Sequence, residues 1–389
     1  MSELNYLEKL LDGTEVEWKA LGDVTSVLRG KRLTKNLLSA EEKFPVFHGG
    51  LEPLGYYNKS NRPANTVMII NVGASAGTVG YSTVDFWSSD GCFCLEHNEL
   101  LNNRFLYFAL IGYQSLLKSK VRVAGIPTLD AIVVNKLLIP IPCPENPEKS
   151  LAIQSEIVRI LDKFTALTAE LTAELNMRKK QYNYYRDQLL SFKEGEVEWK
   201  TLGEVAQYSK TRISFELLDE RNYVGVDNLL QNRAGKSLSN HVPTSGKLTE
   251  FIPNDILIGN IRPYLKKIWQ ADCIGGTNGD VLVIRCIDSS INTRYLYQIL
   301  ADDKFFEYNM QHAKGAKMPR GSKEDIMKYP IPVPPLTLQA RIVEILNKFD
   351  TLTNSITEGL PREIELRQKQ YEYYRDLLFS FPKPETASN

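Results

Sequence analysis

The chain has 389 residues with 47 basic and 47 acidic side chains, so its formal net charge at pH 7 is zero. This balance excludes a uniformly basic nucleic-acid-binding coat but not a local basic face. Hydrophobic residues make up 43% and charged residues 24%, as is usual for a soluble protein of two or three domains. Because we find no membrane-length apolar run, no signal peptide and no disulfide framework among five cysteines, we predict a cytoplasmic protein.

The first part of the chain is predicted to be mixed and rich in strands. An apolar run followed by small residues at 67–81 predicts a buried strand that leads into a tight, glycine-containing loop. The pattern at 103–120 predicts an amphipathic helix, and a glycine loop follows it at 123–140. A proline cluster at 140–149 then ends this segment, because proline neither continues a strand ladder nor favours helix in the residue before it.

A long helix is predicted next, over 151–192. Its apolar residues recur at spacings of four and three, which is the heptad spacing of a coiled coil. These residues are Ile153, Ile157, Ile160, Phe164, Leu167 and Leu171. Such a helix would be about 63 Å long at 1.5 Å per residue. The tetrapeptide TAEL occurs twice within it, at 168–171 and 172–175.

The second half of the chain repeats the first. VEWKALGDV at 16–24 recurs as VEWKTLGEV at 197–205, and RKKQYNYYRDQLLSF at 178–192 recurs as RQKQYEYYRDLLFSF at 367–381. The second helix repeats the heptad residues as Leu338, Ile342, Ile345, Phe349, Leu352 and Ile356. Gly359 and Pro361 predict a break there, with Pro361 as the first residue of a new helical segment. Two such helices pairing antiparallel would bury both stripes.

The inserts between the repeated segments, 25–136 and 206–328, differ in sequence but share an order of elements. In the second insert, a strand and a basic loop at 251–269 precede a helix at 292–310 and a glycine loop at 313–332. Each half is therefore a constant frame around a variable insert.

Local motifs of catalysis are missing. There is no G-x-G-x-x-G loop, and AGKS at 234–237 lacks the upstream glycine of a phosphate loop. Cys92, Cys94 and His97 offer metal ligands, but no second cluster supplies the remaining ones, and a strand with alternating faces explains them better. The sequence therefore favours binding over catalysis.

Basic residues gather in short loops of both inserts, at 29–35, 118–122, 261–267 and 314–323. Long cations on glycine-containing loops suit phosphate contacts, while Arg, Asn and Ser among them can read base edges. Any one cluster could be ordinary solvated surface, but recurrence in corresponding loops of both inserts favours DNA binding.

The whole pattern resembles the DNA specificity subunit (HsdS) of type I restriction–modification systems. The VEWK-x-LG openings, the I-P-x-P exits and the helices ending QYxYYRD carry this resemblance, and the helical stretches look most like the type IC subgroup. It implies an α+β fold with two mixed strand/helix target recognition domains, separated by two long antiparallel coiled-coil helices in a pseudo-twofold internal repeat. The implied boundaries are an N-terminal helical segment at 1–15, recognition domains at 16–146 and 195–334, helices at 147–194 and 335–384, and a tail at 385–389.

The resemblance also implies a division of labour. The specificity chain is non-catalytic, binds no cofactor or metal, and reads a gapped, asymmetric site in double-stranded DNA for host defence. Its partners are two methyltransferase subunits (HsdM), which use S-adenosylmethionine to methylate adenine N6, and two restriction subunits (HsdR), which use ATP and Mg. Two alternatives stay open: a stand-alone regulator with two DNA readers, and a self-contained methyltransferase, which the missing cofactor motif disfavours.

Candidate residues follow from the basic loops and the helix ends. We expect DNA contacts from Arg29, Lys31, Arg32, Ser75 and Arg122 in the first insert, and from Arg262, Tyr264, Lys267, Lys317 and Arg320 in the second. Ser75 and Tyr264 could equally be buried hydrogen-bonding residues. The methyltransferase is expected to dock on Tyr182, Tyr185, Arg186, Tyr371, Tyr374 and Arg375. For the tyrosines, packing between the two helices is an equally good interpretation.

Overall fold

The structure, a computed structural model, describes residues 4–193, 195–355 and 357–382. The chain divides into two units: the first combines the residues up to Thr168 with those from Arg367 onward, and the second is Ala169–Leu366. Both units contain helices and sheets, so the predicted mixed fold with an internal repeat is confirmed. The heptad residue Ile356 and the predicted tail at 385–389 lie outside the described residues.

Twelve α-helices occur in the described part of the chain, and three are much longer than the rest. They are α1 (Leu4–Leu11), α2 (Leu21–Val24), α3 (Asn103–Gly112), α4 (Gln114–Ser119), α5 (Ala131–Asn135), α6 (Pro147–Leu190), α7 (Leu202–Val205), α8 (Thr293–Leu300), α9 (Asp303–Gln311), α10 (Lys323–Ile326), α11 (Leu336–Asn354) and α12 (Leu360–Leu378). The 44 residues of α6 form one uninterrupted helix, as predicted.

The first unit has three sheets. Its strands are β1 (Val16–Ala20), β2 (Val27–Arg29), β3 (Phe44–Phe47), β4 (Gly55–Tyr57), β5 (Thr66–Ile70), β6 (Val79–Ser82), β7 (Trp87–Ser88), β8 (Cys92–Leu95) and β9 (Leu138–Pro142). The main sheet has the order β2-β8-β5-β6, a smaller one has the order β4-β3-β7, and β1 pairs with β9. The predicted strand and loop at 67–81 are confirmed as β5, a turn and β6.

The second unit repeats this arrangement with a larger second sheet. Its strands are β10 (Glu198–Thr201), β11 (Ala206–Tyr208), β12 (Arg212–Ser214), β13 (Tyr223–Val224), β14 (Lys247–Phe251), β15 (Ile256–Gly259), β16 (Ile268–Gln270), β17 (Gly275–Thr277), β18 (Val281–Cys286) and β19 (Pro330–Val333). The sheet orders are β11-β18-β15-β16 and β12-β14-β17-β13, and β10 pairs with β19.

The repeated sequence motifs form the same two-stranded sheet in each unit. In the first, Trp18 of the VEWK motif is paired with Pro140 of the proline exit; in the second, Trp199 is paired with Pro332. The expectation that proline ends the strand at 140 was therefore wrong, because Pro140 and Pro142 belong to β9. Each of these strands has only one neighbour, and prolines at alternate positions leave the missing N–H groups on the unpaired side. The repeated sequence segments therefore form a two-stranded sheet in each unit, and each insert begins and ends at this sheet.

Both predicted insert helices are broken in two. The segment 103–120 forms α3 and α4, with Tyr113 between them, and 292–310 forms α8 and α9. In the second case Asp302 accepts a hydrogen bond from the Lys304 N–H and caps a new helix. Periodicity alone did not predict these breaks, because the apolar stripe continues across them.

The long helices bury only part of the predicted heptad stripes. Ile157 and Ile342 are buried, but Leu338 is 39% exposed, whereas Leu161 and Leu346, which lie outside the stripes, are fully buried. A straight helix with 3.6 residues per turn drifts away from a 3.5-residue repeat, so the buried face moves to neighbouring positions.

The second long helix is interrupted where predicted. It divides into α11 and α12, and Gly359 between them has a φ of 83°. A Cβ atom at Gly359 would lie 2.4 Å from the Thr351 carbonyl oxygen, so both the conformation and the space favour glycine. The helix α12 begins at Leu360, one residue before the predicted start at Pro361.

Candidate nucleic-acid interface

Four loops of the first unit meet at one end of its main sheet. They are the segments 29–35, 71–78, 88–91 and 122–128, which we call the first loop cluster. The register of the strands puts the end of β2, the end of β5 and the start of β8 side by side. Backbone hydrogen bonds then join the loops: Asn71 N–H donates to the Gly91 carbonyl at 3.1 Å, and Leu129 N–H donates to the Asn71 carbonyl at 2.8 Å.

All five first-insert candidates lie in the first loop cluster. Arg29, Lys31, Arg32 and Arg122 are exposed, and Ser75 is half-buried. Arg29 donates from Nε to the Asp90 carbonyl at 3.3 Å, and Arg122 forms an ion pair of 2.8 Å with Asp130. The cluster thus presents several exposed cations from loops that are distant in sequence.

The second unit has the same kind of loop cluster at the corresponding end of its main sheet. We call the segments 260–266, 278–280 and 314–321 the second loop cluster. Asn260 N–H donates to the Asp280 carbonyl at 2.8 Å, and Gly321 N–H donates to the Asn260 carbonyl at 3.2 Å. Arg320 forms an ion pair of 2.6 Å with Asp280, which orients its guanidinium.

Four of the five second-insert candidates are exposed in this cluster. Arg262, Lys317 and Arg320 are exposed, and Tyr264 is 49% exposed, which argues against the buried interpretation of this tyrosine. The prediction for Lys267 requires correction. Its side chain is buried, Nζ donates to the Val226 carbonyl, and burial lowers the pKa of its ammonium group. The Lys267 ammonium group is therefore held against the Val226 carbonyl and is not presented to DNA.

Some basic residues in or near these clusters were not among the candidates. Arg62 donates to the Arg29 carbonyl at 3.3 Å in the first unit. In the second, Lys266 pairs with Asp303 at 2.7 Å and Lys236 lies 5.1 Å from the ring centre of Trp269. Arg62 has only Lys59 near it in sequence, which is a weaker signal than the groups of three or four cations that were chosen.

Three of the six predicted docking residues at the helix ends are buried, which corrects that prediction for these three. Tyr182 and Arg186 are 3% and 2% exposed in the second unit, and Tyr371 is 8% exposed in the first. Burial raises the pKa of Tyr182 and of Tyr371 to about 12. These three side chains hold their helices to the rest of the unit.

The other three docking candidates are at least partly accessible. Tyr185 is 44% exposed and stacks on Phe349 with ring centres 5.4 Å apart, while Tyr374 stacks in the same way on Phe164 at 5.2 Å. Arg375 is partly covered and pairs with Asp376 at 2.7 Å.

The most exposed tyrosines of the two helix ends directly precede Tyr185 and Tyr374 in sequence. Tyr184 is 61% exposed and Tyr373 is 52% exposed. Heptad spacing drew attention to the buried tyrosines and away from this outward-facing pair.

Replacing Tyr182 by Phe should lower the free energy of unfolding of the second unit by about 1–3 kcal/mol, because a buried hydrogen-bonding group would lose its partner. The Tyr182 hydroxyl donates to Gln298 Oε1 at 3.0 Å and accepts from Arg186. Tyr184→Phe is the matched control, since that side chain is exposed on the same helix. Equal urea unfolding midpoints for both variants would show that the buried hydrogen-bond network contributes nothing to the stability of the second unit.

Neither a metal-binding group nor a membrane-spanning helix occurs in the described part of the chain. In residues 4–193, 195–355 and 357–382, no group of three or more His, Cys, Asp and Glu side chains could hold a metal ion. Cys92 and Cys94 are buried on β8, and His97 Nε2 is 3.0 Å from Thr66 Oγ1. Across the same residues, none of the helices has the length and apolar character needed to cross a membrane.

Comparison with known proteins places this architecture in a family. The family model for the type I restriction modification DNA specificity domain matches twice, at residues 14–178 and 194–366. The specificity subunit of the Escherichia coli type I restriction enzyme EcoR124I/EcoR124II is 43% identical over 415 aligned positions, which cover 100% of both chains. The E. coli EcoprrI specificity subunit is 33% identical and covers 92% of this chain and 93% of its own.

A solved structure agrees with these relatives in fold. The crystal structure of a type I restriction-modification S subunit from M. genitalium has a TM-score of 0.62 at 18% identity, with 96% of this chain and 98% of that chain covered. The chain therefore belongs to the family of DNA specificity subunits of type I restriction–modification systems, as its repeat predicted, and is a non-catalytic recognition subunit.

Proposed function

We propose that the chain reads an asymmetric, gapped DNA site with its two loop clusters, one for each half of the site. The observation that carries this proposal is that both clusters stand at the same end of equivalent sheets but present different side chains. Two unlike readers on one chain suit an asymmetric sequence, whereas a dimer of identical readers suits a palindrome. Exposed arginines and lysines supply the phosphate and base contacts.

The chemistry in this proposal belongs to partner subunits. Two methyltransferase subunits with S-adenosylmethionine would methylate adenine N6, and two restriction subunits with ATP and Mg would translocate and cleave unmodified DNA. Because the substrate is chromosomal and invading DNA, we place the complex in the cytoplasm. This assignment rests on family membership and on the name of the relative, a restriction enzyme subunit.

The outward-facing tyrosines are our proposed contact for the methyltransferase. Tyr184 and Tyr185 on α6 form an edge-to-face pair with ring centres 5.5 Å apart, and Tyr373 and Tyr374 on α12 repeat it at 5.4 Å. Exposed aromatic side chains are frequent hot spots of protein interfaces. A repeated pair fits two copies of one partner.

Substitutions in the second loop cluster should separate base reading from phosphate binding. Arg262→Ala should cost about 1–3 kcal/mol of binding free energy and relax the base preference at one position of the DNA site. The reason is that an arginine that hydrogen-bonds to a base edge distinguishes that base from the other three. Lys317→Ala should weaken binding to all sequences alike and reduce the salt dependence. Binding titrations against a panel of single-base variants at two salt concentrations measure both effects. Uniform losses for Arg262→Ala would refute its role as a reader.

Transfer of a labelled methyl group from S-adenosylmethionine to DNA tests the proposed function. We expect transfer only when this chain and its methyltransferase partner are both present. Labelled S-adenosylmethionine bound by the purified chain alone would instead support a self-contained methyltransferase. Tight, sequence-specific DNA binding by the chain alone, with no effect on methylation, would support the stand-alone regulator.

A further inference from the structure

Each loop cluster contains a narrow loop held in a frame of backbone hydrogen bonds. In the first unit, Arg122 and Thr128 exchange two such bonds, at 2.9 and 3.0 Å, and close the segment VAGIP between them. The loop is tied to the rest of the cluster because Gly73 N–H donates to the Pro127 carbonyl at 2.9 Å.

The second unit builds the same frame from different residues. Lys314 and Arg320 exchange two backbone hydrogen bonds, at 2.9 and 2.8 Å, around the segment GAKMP, and Arg262 N–H donates to the Pro319 carbonyl at 2.7 Å. The two loops therefore have the same length and the same attachment, and the residue before the proline is Ile126 in one and Met318 in the other.

This shared position carries an exposed apolar side chain in both units. Ile126 is 70% exposed and Met318 is 50% exposed, and Val123 on the first loop is 80% exposed. A single exposed apolar residue is ordinary. Two exposed apolar residues at the same position of equivalent loops, in inserts whose sequences otherwise differ, indicate a shared function.

The surroundings of both side chains favour DNA as the occupant. The first loop follows Lys118 and Lys120 and starts at Arg122, and the second holds Lys317 and ends at Arg320. Cations close to an apolar tip match a DNA groove, where phosphates lie beside the bases. A protein surface that bound these tips by hydrophobic contact alone would have no use for the cations.

We propose that Ile126 and Met318 each pack against a thymine methyl group in the major groove, one in each half-site. The major groove admits a two-stranded ribbon of this width, and apolar side chains recognise the C5-methyl group of thymine there. The inference rests on the proposed function. If each half-site contains a methylated adenine, each also contains its paired thymine.

The test uses the complex of the full chain with its methyltransferase and duplexes that contain its methylated motif. Each thymine is replaced in turn by deoxyuridine, which removes only the methyl group. The wild-type complex should bind about threefold to fourfold more weakly at one thymine in each half-site, as expected from the transfer free energy of one buried methyl group.

The variants assign each thymine to its loop. Ile126→Ala should abolish the deoxyuridine effect in one half-site and leave it in the other, and Met318→Ala should do the reverse. Val84→Ala and Leu217→Ala are the matched controls, because these residues are 52% and 68% exposed and do not belong to either loop. Both controls should keep both deoxyuridine effects.

Two results would overturn the inference. One is a wild-type complex whose binding is unaffected by every deoxyuridine. The other is variants that keep both deoxyuridine effects, including an Ile126→Ala complex that binds all duplexes more weakly by the same factor, as a wedge between base pairs would give. In each case the motif would still be methylated, so the proposed function would stand. Failure of the proposed function would show instead as the absence of any motif that depends on this chain.

Discussion

Deleting residues 172–175, the second TAEL, should abolish methylation of the original DNA site and create methylation of a site with the same half-sites and a shorter gap. The chain passes from the first unit to the second within α6, at Thr168–Ala169, where the first TAEL begins. Four helical residues account for about 6 Å of length and about 40° of rotation beyond a full turn. Because base pairs are stacked about 3.4 Å apart, we expect the gap to change by one or two base pairs.

Adenine methylation mapped by sequencing measures this change directly. A third TAEL should lengthen the gap by the same amount. The length-neutral variant Glu170→Ala/Glu174→Ala is the control, because it alters the same segment without changing the length of α6, and it should keep the original site. An unchanged gap in the deletion variant would eliminate α6 as the element that sets the spacing.

Replacing Gly30 by Ala should disrupt the first loop cluster and leave the second intact. A Cβ atom at Gly30 would lie 2.1 Å from the Ser89 carbonyl oxygen and 2.3 Å from that of Ser88. These are backbone atoms that cannot rotate away, so the loop would have to separate from β2. Overpacking usually costs about 1–3 kcal/mol, and we expect the upper end or more here.

Hydrogen exchange of the amides in β2 and β8 measures this loss, and binding of DNA measures its consequence for Arg29 and Lys31. Gly50→Ala is the matched control, because a Cβ atom there would meet nothing within 4 Å and its φ is not positive. Exchange in the second unit should stay unchanged in both variants. Normal protection of the β2 amides in Gly30→Ala would show that the loop accommodates the added Cβ atom with little loss of stability.

The sequence predicted the parts of the fold that depend on repetition and periodicity. The heptad segment formed α6, as predicted. The pairing of the VEWK motif with the proline exits was not predicted, because proline was expected to end a strand. Breaks were predicted only where Gly359 and Pro361 marked them. The interruption before α9 was missed because an aspartate cap is a weak signal inside an amphipathic pattern.

The exposure of the candidate residues was predicted less well, since exposure is a tertiary property. Lys267 is next to the half-buried Lys266 in sequence, yet its own side chain is buried just before β16 begins. The choice of Tyr182 and Tyr371 followed the heptad, which selects buried positions. Ile126 and Met318 gave no signal, because a single apolar residue in a glycine loop becomes informative only when the hydrogen-bonded frames of the two loops are compared.

A map of methylated adenines in the host genome, with and without this gene, tests the central claim most directly. Two unlike loop clusters on one specificity subunit predict that deletion removes one gapped, asymmetric motif and leaves the other methylation unchanged. If the gene is expressed and its partner genes are intact, an unchanged map, or loss of a palindromic motif, would contradict the account.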